Sequence, residues 1–366
     1  MGRDFTQMPV CLLLLAGLLL GLAGRSHAGD ATRVSDPHAG NVTGSGVVLL
    51  YHHVNEATPA LTSITPKKFE AHLRYIEDNL VVWPLERLVD AVFRGTPMPE
   101  RVVAITFDDA YADIHANAYP LLRKRDWPFT IFINTRDVGT SRQFLTWDQI
   151  RTMHRNGATL GNHSHTHAHL LRQETGELEA DWRRRVTLDI TRAGAIIFER
   201  SGVRPRFFAY PYGEYDERLQ EIVKQLGLMG VGQQSGATGA FTDPTLIPRF
   251  PLGGPYTEMP GFVTKVQSLP LAVAGSGHSP LLTDDWRPAL HLNIDPDIRG
   301  PVTCFGPGGL IPTRQDGTRV VARSNLDLPV GRSRYNCTAP ADGGRFYWFS
   351  QLWIRRHADG AWYDEP

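Results

Sequence analysis

The sequence predicts an α/β fold with a parallel sheet, followed by a small all-β domain. Three observations predict it. From Gly46 to about residue 234, apolar runs of strand length alternate with segments of helical period. After about residue 270 the helical period disappears, and short strand-like runs are separated by Gly, Pro and Asp. Three of the strands also hand over to segments rich in Asp, in His or in Pro-Gly. That is where parallel α/β sheets carry function, whether closed into a barrel or doubly wound.

The elements follow in order. "GVVLLYHHV" (46–54) is a near-continuous apolar run, the pattern of a strand covered on both faces. In 65–80, Thr65 caps a helix, Pro66 opens it, and Phe69, Leu73, Ile76 and Leu80 form its apolar stripe. Strand 101–107, helix 112–125, strand 129–134 and helix 146–157 repeat the pattern. Thr146 and Gln149 have the spacing of a capping box, and Gly157 stops that helix. Strand 158–163, a long helix 174–202, strand 206–213, helix 216–227 and strand 228–234 complete the series. The later runs at 288–294, 300–305, 318–324, 333–339, 345–356 and 361–366 are the short strands.

With 42% hydrophobic and 21% charged residues, the 366-residue chain has the composition of a large globular domain plus a small one. Lys+Arg and Asp+Glu both number 38, so no net field favours nucleic acid, and a neutral or mixed substrate is expected. Arg3, the apolar run Pro9–Gly24 and the small-residue site ending at Ala28 read as an export signal over 1–28, and 29–45 reads as a polar linker. A spanning helix needs about 20 apolar residues, so membrane attachment is expected only if this segment stays uncleaved. A periplasmic or secreted protein is expected. Removing the segment leaves Cys304 and Cys337, which an oxidising compartment would pair.

Asp108 and Asp109 end an apolar strand, and adjacent carboxylates repel unless a cation or a chemical task occupies them. A helix cap and a solvated side chain would be the plain alternative. The stretch Thr159–Leu171 carries His163, His165, His167 and His169 on alternate residues. Either 163/167 or 165/169 is spaced to bind one metal from a turn of helix. Pro211, Tyr212 and Gly213 form a stiff turn whose backbone donors suit a fixed target, although an ordinary Pro-Gly turn reads the same way. His52 and His53 end the first strand and either line a site's mouth or are neutral histidines that merely hydrogen-bond there. Arg249 either points inward to orient a base or makes a surface ion pair. The aromatic run 346–349, Trp353 and Trp362 either stack on sugar rings or form the small domain's core.

"TFDD", "NHSHTH" and "YPYG", in this order, resemble the polysaccharide deacetylase family of metal-dependent carbohydrate esterases, with its nodulation-type chitooligosaccharide deacetylase domain. "LLYHHV", "TPKKFEAHLRYI" and "LIPRFPL" resemble in particular its exported poly-N-acetylglucosamine deacetylases, and the resemblance covers roughly 46–265. It implies a distorted (β/α) barrel of about seven strands at 46–270, with 271–366 as a β-rich accessory domain. It implies Asp108 as catalytic base, and Asp109, His163 and His167 as ligands of a divalent metal, zinc being the expected ion. The Tyr212 N–H would stabilise the oxyanion, and His53, Pro211 and Arg249 would contact substrate. The chain departs from the family at Ala209, where many members place an Arg near the turn, and at Ala110, which replaces a Gly. "DDW" (284–286) and His291 imitate the later motifs, which makes His291 the candidate general acid although it falls in the β-rich segment.

The expected function is an exported, metal-dependent deacetylase acting on N-acetylated amino sugars of a polysaccharide or oligosaccharide. No nucleic acid and no stable protein partner is inferred. Two other readings stand beside it: an O-acetyl carbohydrate esterase, which needs less help for its leaving group, and a carbohydrate-binding protein with an idle site.

Overall fold

A computed structural model of the chain describes residues 44–274 and 280–364. The expected export signal and nearly all of the linker lie outside the described residues. The main element is a curled seven-stranded sheet with neighbours in the order β7-β1-β2-β3-β4-β5-β6. These are β1 (Gly46–Tyr51), β2 (Val102–Phe107), β3 (Phe129–Ile133), β4 (Ala158–Asn162), β5 (Phe207–Ala209), β6 (Met229–Val231) and β7 (Ala237–Thr238). All pairings from β1 through β6 are parallel, whereas β7 runs antiparallel to β1. A further strand, β8 (Phe250–Pro251), pairs with β1, and just before it Ile247 exchanges backbone hydrogen bonds with Gly230 and Gly232 at β6. One segment is thus stitched to β1, near one end of the sheet, and to β6 at the other, which curls the sheet.

The helices on the outside obey local rules. In α1 (Pro66–Asn79) the Thr65 hydroxyl accepts from the Lys68 N–H, and Phe69, Leu73 and Ile76 are fully buried. The sequence reading passed over α2 (Leu85–Arg94), although Gly95 at φ +62° ends it in the left-handed cap that glycine supplies. The helix expected over 112–125 is a π-turn at Ile114–Ala118 followed by α3 (Tyr119–Lys124). Pro120 explains the break, because it has no N–H for the α-pattern and crowds the turn before it. Thr146 and Gln149 do form a capping box on α4 (Trp147–Arg155). The long helix begins later than expected, as α5 (Glu179–Ser201), and α6 (Glu217–Gln225) and α7 (Met259–Val266) follow.

Beyond the curled sheet, β9 (Leu269–Pro270), β11 (Thr303–Gly306), β12 (Gly309–Ile311), β15 (Gly331–Pro340) and β16 (Phe346–Arg355) form one sheet. A smaller sheet holds β10 (Ala289–Asn293), β13 (Thr313–Asp316) and β14 (Arg319–Arg323). Cys304 and Cys337 are direct cross-strand partners on β11 and β15 and form a disulfide. Strand alternation divides the aromatics: Phe349 and Trp353 enter the core between the two small sheets, while Trp348 packs edge-on to Phe250 of the curled sheet. Leu352, Ile354 and Tyr363 share a buried cluster with Trp182 and Phe208, so this segment is packed onto the curled sheet rather than tethered to it.

Candidate active site

The first arm of the site is the end of β2. The Asp108 N–H still donates to Tyr51 O, as a strand residue would. Asp109 and Ala110 then turn at φ +71° and +53°, and the chain reversal sends the two carboxylates different ways. Ala110 occupies a conformation that glycine adopts without strain, which is the physical content of its departure from the family pattern.

Asp108 points inward. Its two oxygens accept from the Arg249 Nη1 and Nη2 at 2.7 and 2.8 Å, and both side chains are 0% exposed. Arg249 is fixed in turn by its Nε–H to Gly232 O and by Thr106. Burial pushes the Asp108 carboxyl up, but the Arg249 guanidinium more than offsets this and leaves it below the usual carboxylate value. Arg249 had been expected among substrate contacts. It is fully buried behind Asp108, so it orients the carboxylate instead of facing a sugar.

The second arm follows β4. Asn162 accepts the Ser164 N–H and donates to Ile190 O of α5, while Asp189 of α5 accepts from the N–H groups of His165 and Thr166 and from the Thr166 hydroxyl. These bonds hold Ser164 and His167 at φ +66° and +52° and aim the imidazoles. Glycine at 161 lets this strand pass: a Cβ there would lie 2.3 Å from the Phe132 ring. The four alternating histidines separate cleanly. His165 Nδ1 pairs with the Thr135 hydroxyl and His169 Nδ1 with Glu214. His163 and His167 turn to Asp109, their Nε2 atoms 3.2 and 3.1 Å from its Oδ1.

Asp109, His163 and His167 offer ligand atoms that all lie within 4.8 Å of one another. The chemistry of this donor set fits a cation. The His163 Nδ1–H is committed to Ala209 O at 2.8 Å, so Nε2 carries the lone pair. That lone pair and Asp109 Oδ1 face each other, both buried and neither with a hydrogen-bond partner. Two facing acceptors repel, and leaving such atoms unsatisfied costs about 1–3 kcal/mol each; a bound cation removes the penalty. Burial pushes Asp109 up, but the adjacent His167 holds it well below its ordinary value, and Asp109 raises His167 in return against the downward push of burial.

The third arm is the turn after β5. Tyr212 sits at φ +59°, with Gly213 N–H bonded to Tyr210 O. Its ring lies 4.7 Å from that of His167 and stacks on His169 at 3.7 Å. Pro211 is buried, so it shapes this turn rather than presenting a face to substrate.

Two further expectations change. His53 is 7% exposed, stacked on Tyr111 and bonded through Nδ1 to Asp113, which commits it to structure. Its neighbour His52 is the partly exposed imidazole set among Asp109, Asp108, Arg249 and His163, with burial lowering its pKa. Chain alternation after β1 decides between them, and no sequence signal did. His291 is exposed on β10, opposite Val321, and no hydrogen bond or ion pair among the described residues joins it to the carboxylate–imidazole cluster.

Residues 95–231 match the family model described as polysaccharide deacetylase. This stretch is a polysaccharide deacetylase domain. It holds Asp108, Asp109, all four alternating histidines and the turn at Tyr212, while His52 and Arg249 reach the carboxylate–imidazole cluster from either side of it in sequence. Among curated relatives, the Bacillus subtilis protein YxkH is 29% identical over 193 residues, covering 52% of this chain and 65% of its own. The Escherichia coli K12 poly-beta-1,6-N-acetyl-D-glucosamine N-deacetylase is 26% identical over 218 residues, 50% of this chain and 32% of its own. The chain thus spans less than two thirds of either relative. IcaB from Ammonifex degensii has the same fold at TM-score 0.54, 24% identity and coverage of 62% of this chain and 98% of its own. Streptococcus pyogenes deacetylase PplD does so at TM-score 0.55, 20% identity, 62% and 99%.

Proposed function

We propose that the protein is an exported, metal-dependent deacetylase that hydrolyses N-acetyl groups of amino-sugar residues in a polysaccharide. The observation that carries the reading is the pair of facing, unsatisfied acceptors on Asp109 and His163, closed by His167 and flanked by an Asp108 that Arg249 holds ionised. The curated N-deacetylase relatives support the substrate class, a β-1,6-linked N-acetylglucosamine polymer. The segment beyond the curled sheet is proposed as an accessory domain.

Asp109, His163 and His167 would hold the divalent ion, zinc by the nature of the ligands, and when bound it polarises the acetyl carbonyl and acidifies a water. Asp108 stays off the ligand set and takes a proton from the attacking water, a contribution of about 10²- to 10⁴-fold. Arg249 keeps that carboxylate ionised and oriented. The Tyr212 N–H would meet the oxyanion from a fixed turn. As the C–N bond breaks, the amine must gain a proton; the one that Asp108 took from the water supplies it, and His52, the imidazole set beside Asp108, is assigned its relay in place of His291. The products are acetate and the free amine.

The test is acetate release from a panel of acetylated glycans, with and without chelator. Release from β-1,6-linked N-acetylglucosamine oligomers, abolished by chelator and restored by zinc, is expected. Release only from O-acetylated xylan would move the assignment to an ester, and saturable binding without release would move it to a carbohydrate-binding protein.

A further inference from the structure

The strained turn at Tyr212 is held from outside the deacetylase domain. A non-glycine residue at positive φ costs about 1–3 kcal/mol and persists only where its surroundings over-determine it. Three contacts over-determine Tyr212, and two of them lead to chain beyond the curled sheet. The Arg332 guanidinium, on β15, donates to Tyr212 O. The peptide that follows is planar, so its two ends move together. Its N–H, from Gly213, is bonded to Tyr210 O at 2.9 Å. One end of that peptide is therefore fixed by the curled sheet and the other by Arg332.

The second lead runs through Glu214, which is 1% exposed. Its Oε1 accepts from the Tyr363 hydroxyl at 2.7 Å and from the Arg172 Nη2 at 3.0 Å, and its Oε2 lies 3.0 Å from His169 Nδ1. Arg172 also donates to Tyr363 O. His169 is the ring stacked on Tyr212, 3.7 Å away with a 13° interplanar angle. The chain of contacts closes as Tyr363, Glu214, His169, Tyr212, and its other face is Arg332.

We infer, on the deacetylase reading above, that Arg332 and Tyr363 are positioning residues for the Tyr212 turn. The segment after the curled sheet thereby completes the reaction centre. A donor meant for a developing oxyanion loses most of its value when displaced by a few tenths of an ångström to one ångström. Both act on the turn and not as members of the ligand set, so their removal is expected to act on rate while leaving the ion and the base in place.

The test uses the full chain loaded with zinc, in wild type and in Arg332→Ala, Arg332→Lys and Tyr363→Phe. Tyr335→Phe serves as the control, because it removes a hydroxyl contact to Ser324 inside the same β segment. Acetate release from a β-1,6-linked N-acetylglucosamine oligomer gives kcat and KM; bound zinc and near-UV circular dichroism are read on the same samples. We expect kcat to fall about 10- to 100-fold in Arg332→Ala and less in Tyr363→Phe, with KM, zinc content and dichroism as in wild type. Arg332→Lys, which keeps a cationic donor, recovers most of the rate, and Tyr335→Phe keeps all of it. Wild-type kcat in both Arg332→Ala and Tyr363→Phe overturns the inference, as does a loss that tracks unfolding and appears equally in Tyr335→Phe. A wild-type protein that releases no acetate counts against the deacetylase reading instead.

Discussion

Asp109, Ala110, Ser164, His167 and Tyr212 are five of the six non-glycine residues at positive φ among the described residues, and all five border one cluster. Strain of about 1–3 kcal/mol each is retained where it aims a side chain or a backbone donor. At this scale the account separates two neighbouring carboxylates by partner: Asp108 belongs to Arg249, and Asp109 to two imidazoles. Asp108→Asn should therefore lower acetate release by at least about 10²-fold while bound zinc stays at one per chain. It should also destabilise the fold by about 3 kcal/mol, because it leaves the buried Arg249 without its counter-charge. His167→Ala should do the opposite, losing zinc with little change in the denaturation midpoint of the metal-free protein; elemental analysis beside chemical denaturation separates the two.

At the scale of elements, the loops are fixed by polar clamps that hydrophobic patterning does not reveal. Glu214 joins the loop after β4 to the turn after β5. Burial pushes its carboxyl up, but hydrogen bonds from His169 and Arg172 outweigh that and hold it at about 2, against an ordinary 4.5. A carboxyl depressed on folding adds stability above its ordinary pKa, and that stability fades as pH falls from about 4.5 towards 2. The amount is at most about 3 kcal/mol. Glu214→Gln should unfold more readily than wild type at pH 7, the gap closing between pH 4.5 and 2. A gap that does not vary with pH would refute this ionic role.

Much of the architecture was legible for the same reason that these clamps were not. Buried parallel strands announce themselves as apolar runs, and caps such as Thr146 with Gln149 act over three residues. The choice of His163 and His167 came from motif resemblance; their Nε2 atoms lie 3.2 and 3.1 Å from Asp109 Oδ1. Arg249 was legible as a possible orienting group but not as a buried one, since its partner is 141 residues away. His52 and His53 could not be told apart, because which of two adjacent side chains enters a site depends on where the strand ends. Helix α2 escaped notice although Pro84 and Gly95 bracket it. His291 matched a motif by residue type, and the fold put it on an exposed strand of another sheet.

For the whole molecule, the five-stranded sheet and the curled sheet share a buried cluster, so stability and catalysis should respond to the same distant changes. The Cys304–Cys337 bond closes a loop of 33 residues. By chain entropy such a loop is worth about 3–4 kcal/mol, so the double Cys304→Ala, Cys337→Ala variant should unfold at correspondingly lower denaturant, with unchanged midpoints arguing against it. Among the described residues no helix is long and apolar enough to cross a membrane. The most direct test of the central claim is an anomalous-difference map at the zinc edge from crystals of the zinc-loaded protein. The account predicts one strong peak bounded by Asp109, His163 and His167, with Asp108 turned away to Arg249. A peak elsewhere, or these three side chains paired with one another around no ion, would contradict it.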